Sequence, residues 1–97
     1  MSGTRVRPPA VAGMFYPAQA RPLLDALDDA FGKARHDVHL DGTPKAIIAP
    51  HAGYVYSGPV AATAYEQLAP ARGEIRRVVL LGPSHRVPVR GIAASSA

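Results

Sequence analysis

The chain has 97 residues, a formal net charge of +4 and no cysteine, enough for one small domain and without a disulfide, a thiolate metal ligand or a cysteine nucleophile. The arginines are dispersed over Arg5, Arg7, Arg21, Arg35, Arg72, Arg76, Arg77, Arg86 and Arg90, with one adjacent pair and no interleaved aromatics, so a solvated surface is favoured over a nucleic-acid partner. The first residues lack the apolar core of a signal peptide and no apolar run approaches a bilayer span, so a cytoplasmic protein without a membrane partner is expected.

Residues 1–9 are polar and proline-rich and read as a flexible extended arm. Ala10 to Pro17 carries Val11, Met14, Phe15 and Tyr16, apolar enough to lie against a core, while Gly13 and Pro17 oppose a helix. A short strand or buried loop is expected there. From Gln19 to Lys33, Leu23, Leu27 and Phe31 recur every four residues, with Leu24 and Ala30 alongside and Asp25, Asp28 and Asp29 elsewhere, which predicts an amphipathic helix. Pro22 is compatible because it falls in the first turn, and Gly32 loosens the end.

Ala34 to Pro44, with His36, Asp37, His39 and Asp41, reads as a polar loop. Lys45 to Ala49 predicts a buried strand ended by Pro50 and followed by His51. The stretch through Gly53, Tyr54, Tyr56, Ser57, Gly58 and Pro59 must turn the chain into a second helix. Ser57 suits its N-cap, and Val60, Ala61, Ala64, Tyr65 and Leu68 form its apolar face until Pro70 stops it. Ile75 to Leu81 predicts a second strand, followed by Gly82-Pro83-Ser84-His85.

Strand, helix, strand over some thirty residues is a βαβ unit, whose crossover is expected to be right-handed. His51 and His85 then emerge at the carboxyl ends of two parallel strands, where open α/β sheets place ligands. Neutral imidazoles at two such positions supply part of a metal site, either half of a tetrahedral set or two positions of a two-His-one-carboxylate face. A third ligand is required; His36, Asp37, His39 and Asp41 qualify by chemistry alone. Each histidine could equally be a hydrogen-bonded loop residue, and the tyrosines and glycines after His51 either a substrate pocket or turn and capping residues. Nucleotide binding is disfavoured because no phosphate-loop signature is present and Pro59 removes a donor from the expected first turn. Ser57 and Ser84 lack a nucleophile elbow.

The strings Ala12-Gly13-Met14-Phe15-Tyr16-Pro17, Ile47-Ile48-Ala49-Pro50-His51-Ala52-Gly53-Tyr54-Val55-Tyr56-Ser57-Gly58 and Leu81-Gly82-Pro83-Ser84-His85 resemble, in order and spacing, the amino-terminal part of the Memo family, also called AmmeMemoRadiSam system protein B. The resemblance runs from Arg7 onward. It implies an α/β fold like that of class III extradiol dioxygenases: part of a three-layer sandwich on a mostly parallel sheet, with a metal pocket at the strand ends. It further implies that His51 and His85 bind iron or copper together with a cysteine from a carboxyl-terminal half, and that Phe15 and Tyr56 line the pocket; Tyr54 or Tyr56 is available as a hydrogen-bond donor.

On this reading the chain is a single truncated Memo-like domain. Its complete form would carry metal-dependent oxidoreductase chemistry on a small molecule, the piece itself being inactive. Arg86 stands where some relatives carry a second histidine. The family name points to a radical-enzyme system as partner, and exposed sheet edges would favour a homo-oligomer. The alternatives are a non-catalytic module binding a peptide or protein in the same crevice, with Phe15, Tyr16, Tyr54 and Tyr56 as anchors, or an inactive fragment.

Overall fold

The computed structural model describes residues 5–95. The first four residues of the expected arm lie outside that range.

Two helices of equal length organise the chain. Helix α1 spans Ala20–Gly32, with Gln19 and Lys33 as its caps, as the four-residue periodicity predicts. Pro22 sits in its first turn, where a missing N–H costs no intrahelical bond. Helix α2 spans Tyr54–Glu66, followed by a 3-10 turn over Ala69–Ala71 that contains Pro70. No helix among the described residues is long and apolar enough to cross a membrane.

The two helices pack on small side chains. Ala30 and Ala34, four apart at and just beyond the end of α1, are buried together with Ala62 of α2. Gly58, four residues before Ala62, is also buried, and a Cβ placed on it would stand 3.3 Å from the Ala30 Cβ. Residues four apart share one helix face, so Gly58/Ala62 opposes Ala30/Ala34 and the backbones approach closely. On α1 the contact falls on the expected side, where Ala30 is buried and Leu23 and Leu27 are half-buried; on α2 it runs along Gly58 and Ala62 rather than the expected Val60 and Tyr65. Phe31 is 37% exposed at the edge of the contact, and Val60 and Tyr65 are exposed. A large side chain at the crossing would hold the helices apart, so α1 and α2 meet along their smallest residues.

The start of α2 also differs from expectation. Ser57 is not the N-cap; it is a buried residue of the helix, which begins three residues earlier with Gly53 as its cap. The turn at residues 11–17 accounts for the earlier start. Gly13, at φ +84°, lets that turn close through Gly13 N–H to the Tyr16 carbonyl (2.7 Å) and Met14 and Phe15 N–H to the Val11 carbonyl (3.0 and 3.1 Å). The closed turn offers the Phe15 carbonyl to the Tyr54 N–H at 3.0 Å, satisfying one of the free donors of the helix end. Tyr16 and Tyr54 lie against each other with ring centroids 5.7 Å apart. Pro59 therefore falls at the sixth helical position rather than in the first turn.

The loop after α1 is laced to the far half of α2. Arg35 N–H donates to Thr63 Oγ1 (2.9 Å), which itself donates to the Pro59 carbonyl (2.9 Å). Gln67 Nε2 donates to the Val38 carbonyl at 3.3 Å, and His36 Nδ1 lies 3.3 Å from Glu66 Oε1.

Residues 45–49 and 75–81, expected as strands, carry no regular secondary structure, and among the described residues the only β-bridge joins Ala12 to Tyr16. Most of their apolar side chains are open, Ile48 being 98% and Val79 86% exposed, while Ile47 and Ala49 are half-buried. Parallel strands are stable with both faces covered and further strands alongside; α1 and α2 alone do not supply that cover.

Candidate metal centre

His51 and His85 come together although 34 residues separate them. Their Nε2 atoms are 3.1 Å apart, with ring centroids 5.2 Å apart and planes inclined by 30°. His51 stands between Pro50 and the start of α2, whose position the Phe15 carbonyl fixes. His85 stands on the turn after Pro83, where the Ser84 hydroxyl donates to the Val87 carbonyl. Each histidine thus adjoins a local hydrogen-bonded contact on its own side, and both rings are exposed to solvent.

Without an ion, a 3.1 Å separation is a hydrogen bond in which one Nε2–H donates to the lone pair of the other. The same separation suits a shared metal. With metal–nitrogen distances of about 2.0–2.1 Å, nitrogens this far apart subtend roughly 95–100° at the ion, between the octahedral and tetrahedral values. Two neutral imidazoles form a donor set that iron, copper and zinc all accept. The two imidazoles are thus a donor pair that would fit a metal and would fill two of its positions. No cluster of three or more His, Cys, Asp or Glu occurs among the described residues.

Two of the other expected ligands are engaged elsewhere. His36 pairs with Glu66, and Asp37 receives Arg35 Nε and Nη2 at 3.1 and 2.7 Å. The Arg35 guanidinium holds the Asp37 carboxyl below the usual carboxylate range, helped by its own backbone N–H and by His39 and His36, against a small opposing desolvation.

Of the expected pocket residues, Phe15 and Tyr54 border a depression of about 510 Å³ between the 13–17 turn, α1 and the first half of α2. Tyr56 is 83% exposed and does not line it, nor do the two histidines. One contributor escaped the sequence reading: the Phe15 carbonyl acts through its backbone, which leaves no mark in residue type. Gly53 was legible, since the glycines after His51 were expected either in a pocket or as turn and capping residues, and Gly53 is the cap of α2.

A family model described as Memo-like protein matches residues 7–97. Among curated relatives, a "MEMO1 family protein" of Methanococcus maripaludis is 42% identical over 94 residues, covering 90% of this chain and 33% of the relative. A "MEMO1 family protein" of Methanocaldococcus jannaschii is 41% identical over 90 residues, covering 84% and 31%. "Protein MEMO1" of Danio rerio is 44% identical over 86 residues, covering 89% and 27%. No solved structure matches. The chain spans about a third of the length of these relatives, and the aligned residues include both histidine strings within 7–97. The chain belongs to the Memo family.

Proposed function

We propose that His51 and His85 bind a redox metal, iron or copper, through their Nε2 atoms, within a Memo-family protein of the class III extradiol dioxygenase-like α/β type. The observation that carries this reading is the 3.1 Å separation of two solvent-open imidazole nitrogens from distant parts of the chain. Two nitrogens leave the coordination sphere incomplete, so a further ligand comes from beyond these residues, in the longer polypeptide typical of the relatives or in another subunit. Bound there, the metal supplies Lewis-acid and redox chemistry toward dioxygen or a small substrate. The imidazoles would hold the ion at an open face, and the Tyr54 or Tyr56 phenol would be available to donate a hydrogen bond to a ligand oxygen; the depression that Phe15 and Tyr54 border is separate from the two rings. In the complete protein, residues 45–49 and 75–81 become adjacent parallel strands of a covered sheet, and the protein works in the cytoplasm.

The test is metal content by mass spectrometry on the purified chain after loading with ferrous or cupric ion, beside His51→Ala and His85→Ala, with far-UV spectra for all three. Iron or copper retained by the parent and lost from both variants supports the site. A folded parent that retains none, or variants that retain as much as the parent, refute it.

A second reading, a non-catalytic interaction module, is favoured by one observation: Val55 and Tyr56 project from the first turn of α2 into solvent. Such a module keeps its partner in the presence of chelator, whereas metal-dependent chemistry stops.

A further inference from the structure

Gly53 is the cap of α2 and has an ordinary extended conformation, φ −54° and ψ 156°, which any residue adopts. Backbone freedom therefore does not call for glycine there; space does. A Cβ on Gly53 would lie 3.3 Å from the Phe15 carbonyl oxygen and 3.6 Å from both Phe15 Cα and Cδ1. That same carbonyl receives the Tyr54 N–H at 3.0 Å. The 11–17 turn thus seats on the helix start in the gap a side chain would fill, and His51 is attached two residues upstream.

We propose that Gly53 is a positioning residue for the His51–His85 pair: its missing side chain lets the Phe15 carbonyl seat on the start of α2, and that seat sets the position of His51 against His85. The functional consequence rests on the reading that this pair holds a metal. Adding a methyl group forces Phe15 and the helix start apart by a few tenths of an ångström. Metal–ligand distances are held to about 0.2 Å, so a displacement of this size, carried two residues along the chain, spoils the bite of the pair. Residues that orient metal ligands without touching the ion typically change affinity by about 10–100-fold when substituted. Gly32 is the matched control, because a Cβ there meets nothing within 4 Å.

The experiment uses the full chain, with cupric ion as probe, and measures three quantities for the parent, Gly53→Ala and Gly32→Ala. These are copper affinity, the copper EPR spectrum, and the imidazole ¹⁵N shifts of His51 and His85 without metal. Expected for Gly53→Ala are about tenfold weaker copper binding, an altered EPR spectrum, and loss of the ring-to-ring ¹⁵N signature, with unchanged helical circular dichroism; Gly32→Ala matches the parent. Unchanged affinity and ¹⁵N shifts in folded Gly53→Ala overturn the proposal. If Gly53→Ala does not fold, Gly13→Ala loosens the same seat from the turn side, since its φ of +84° strains alanine, while α1 and α2 are untouched. The same ¹⁵N and copper criteria then decide. A parent that binds no copper refutes the metal reading, while the metal-free ¹⁵N shifts still decide whether Gly53 positions His51.

Discussion

The contact between Gly58 and Ala30 can be tested by moving one methyl group across it. Gly58→Ala alone gains about 1 kcal/mol of helix propensity. It also sets two methyl carbons 3.3 Å apart, closer than the ~3.5–4.0 Å optimum, and overpacking costs about 1–3 kcal/mol; the net is a loss of roughly 1 kcal/mol. Ala30→Gly alone loses about 1 kcal/mol of propensity and about 0.8 kcal/mol of methyl burial. The double variant restores one methyl group at the interface and exchanges the propensity terms between the helices, so it falls within about 0.5 kcal/mol of the parent. The singles sum to a loss of nearly 3 kcal/mol, which leaves a coupling of roughly 2.5–3 kcal/mol, at the upper end of the range for residues in direct contact. Urea unfolding followed by far-UV circular dichroism measures all four corners, and 1 kcal/mol corresponds to roughly 4–8 °C in Tm at this size. An additive cycle, with coupling below about 0.5 kcal/mol, would refute the close approach of the helices.

Thr63→Val removes the acceptor of the Arg35 N–H while keeping side-chain shape; a loss of about 1 kcal/mol is expected, with faster hydrogen exchange at the Arg35 amide. Arg35→Ala removes the main cause of the depressed Asp37 carboxyl, and NMR titration should find that carboxyl moved up toward the ordinary range. Because the folded Asp37 titrates below its unfolded value, its small stabilisation is present above the ordinary carboxylate range and is lost as pH falls through the depressed value; Arg35→Ala should flatten the acid limb of unfolding curves there. Acidification should also release copper or iron, since imidazolium has no lone pair to donate, and metal retained at a pH where both rings are protonated would place it elsewhere.

The helices and the histidine pair were largely legible in the sequence because their signals are local. Four-residue recurrence located α1 to its caps, and proline-then-histidine after two aliphatic runs singled out the two rings that meet. What was not legible is non-local. The choice of Ala30, Ala34, Gly58 and Ala62 over Phe31, Val60 and Tyr65 for the contact depends on how closely two backbones approach, although the paired four-residue spacing of small residues was a usable hint. Ser57 was misread because its residue type suits a cap, whereas the acceptor that starts α2 is a main-chain carbonyl forty residues earlier. Strand character at 45–49 and 75–81 is a statement about side-chain type; a ladder also needs neighbours and cover.

Pro59 divides α2 into two mechanical parts. With no N–H it cannot donate to the Val55 carbonyl, so one rung of the helix is missing between the segment gripped by the 11–17 turn and the segment gripped by Thr63, Glu66 and Gln67. Each part is held by a different loop, and no backbone rung is donated from Pro59 between the two sets of contacts. Loosening the 11–17 turn should therefore raise amide hydrogen exchange in the first half of α2 more than in the second, which the 35–38 loop holds.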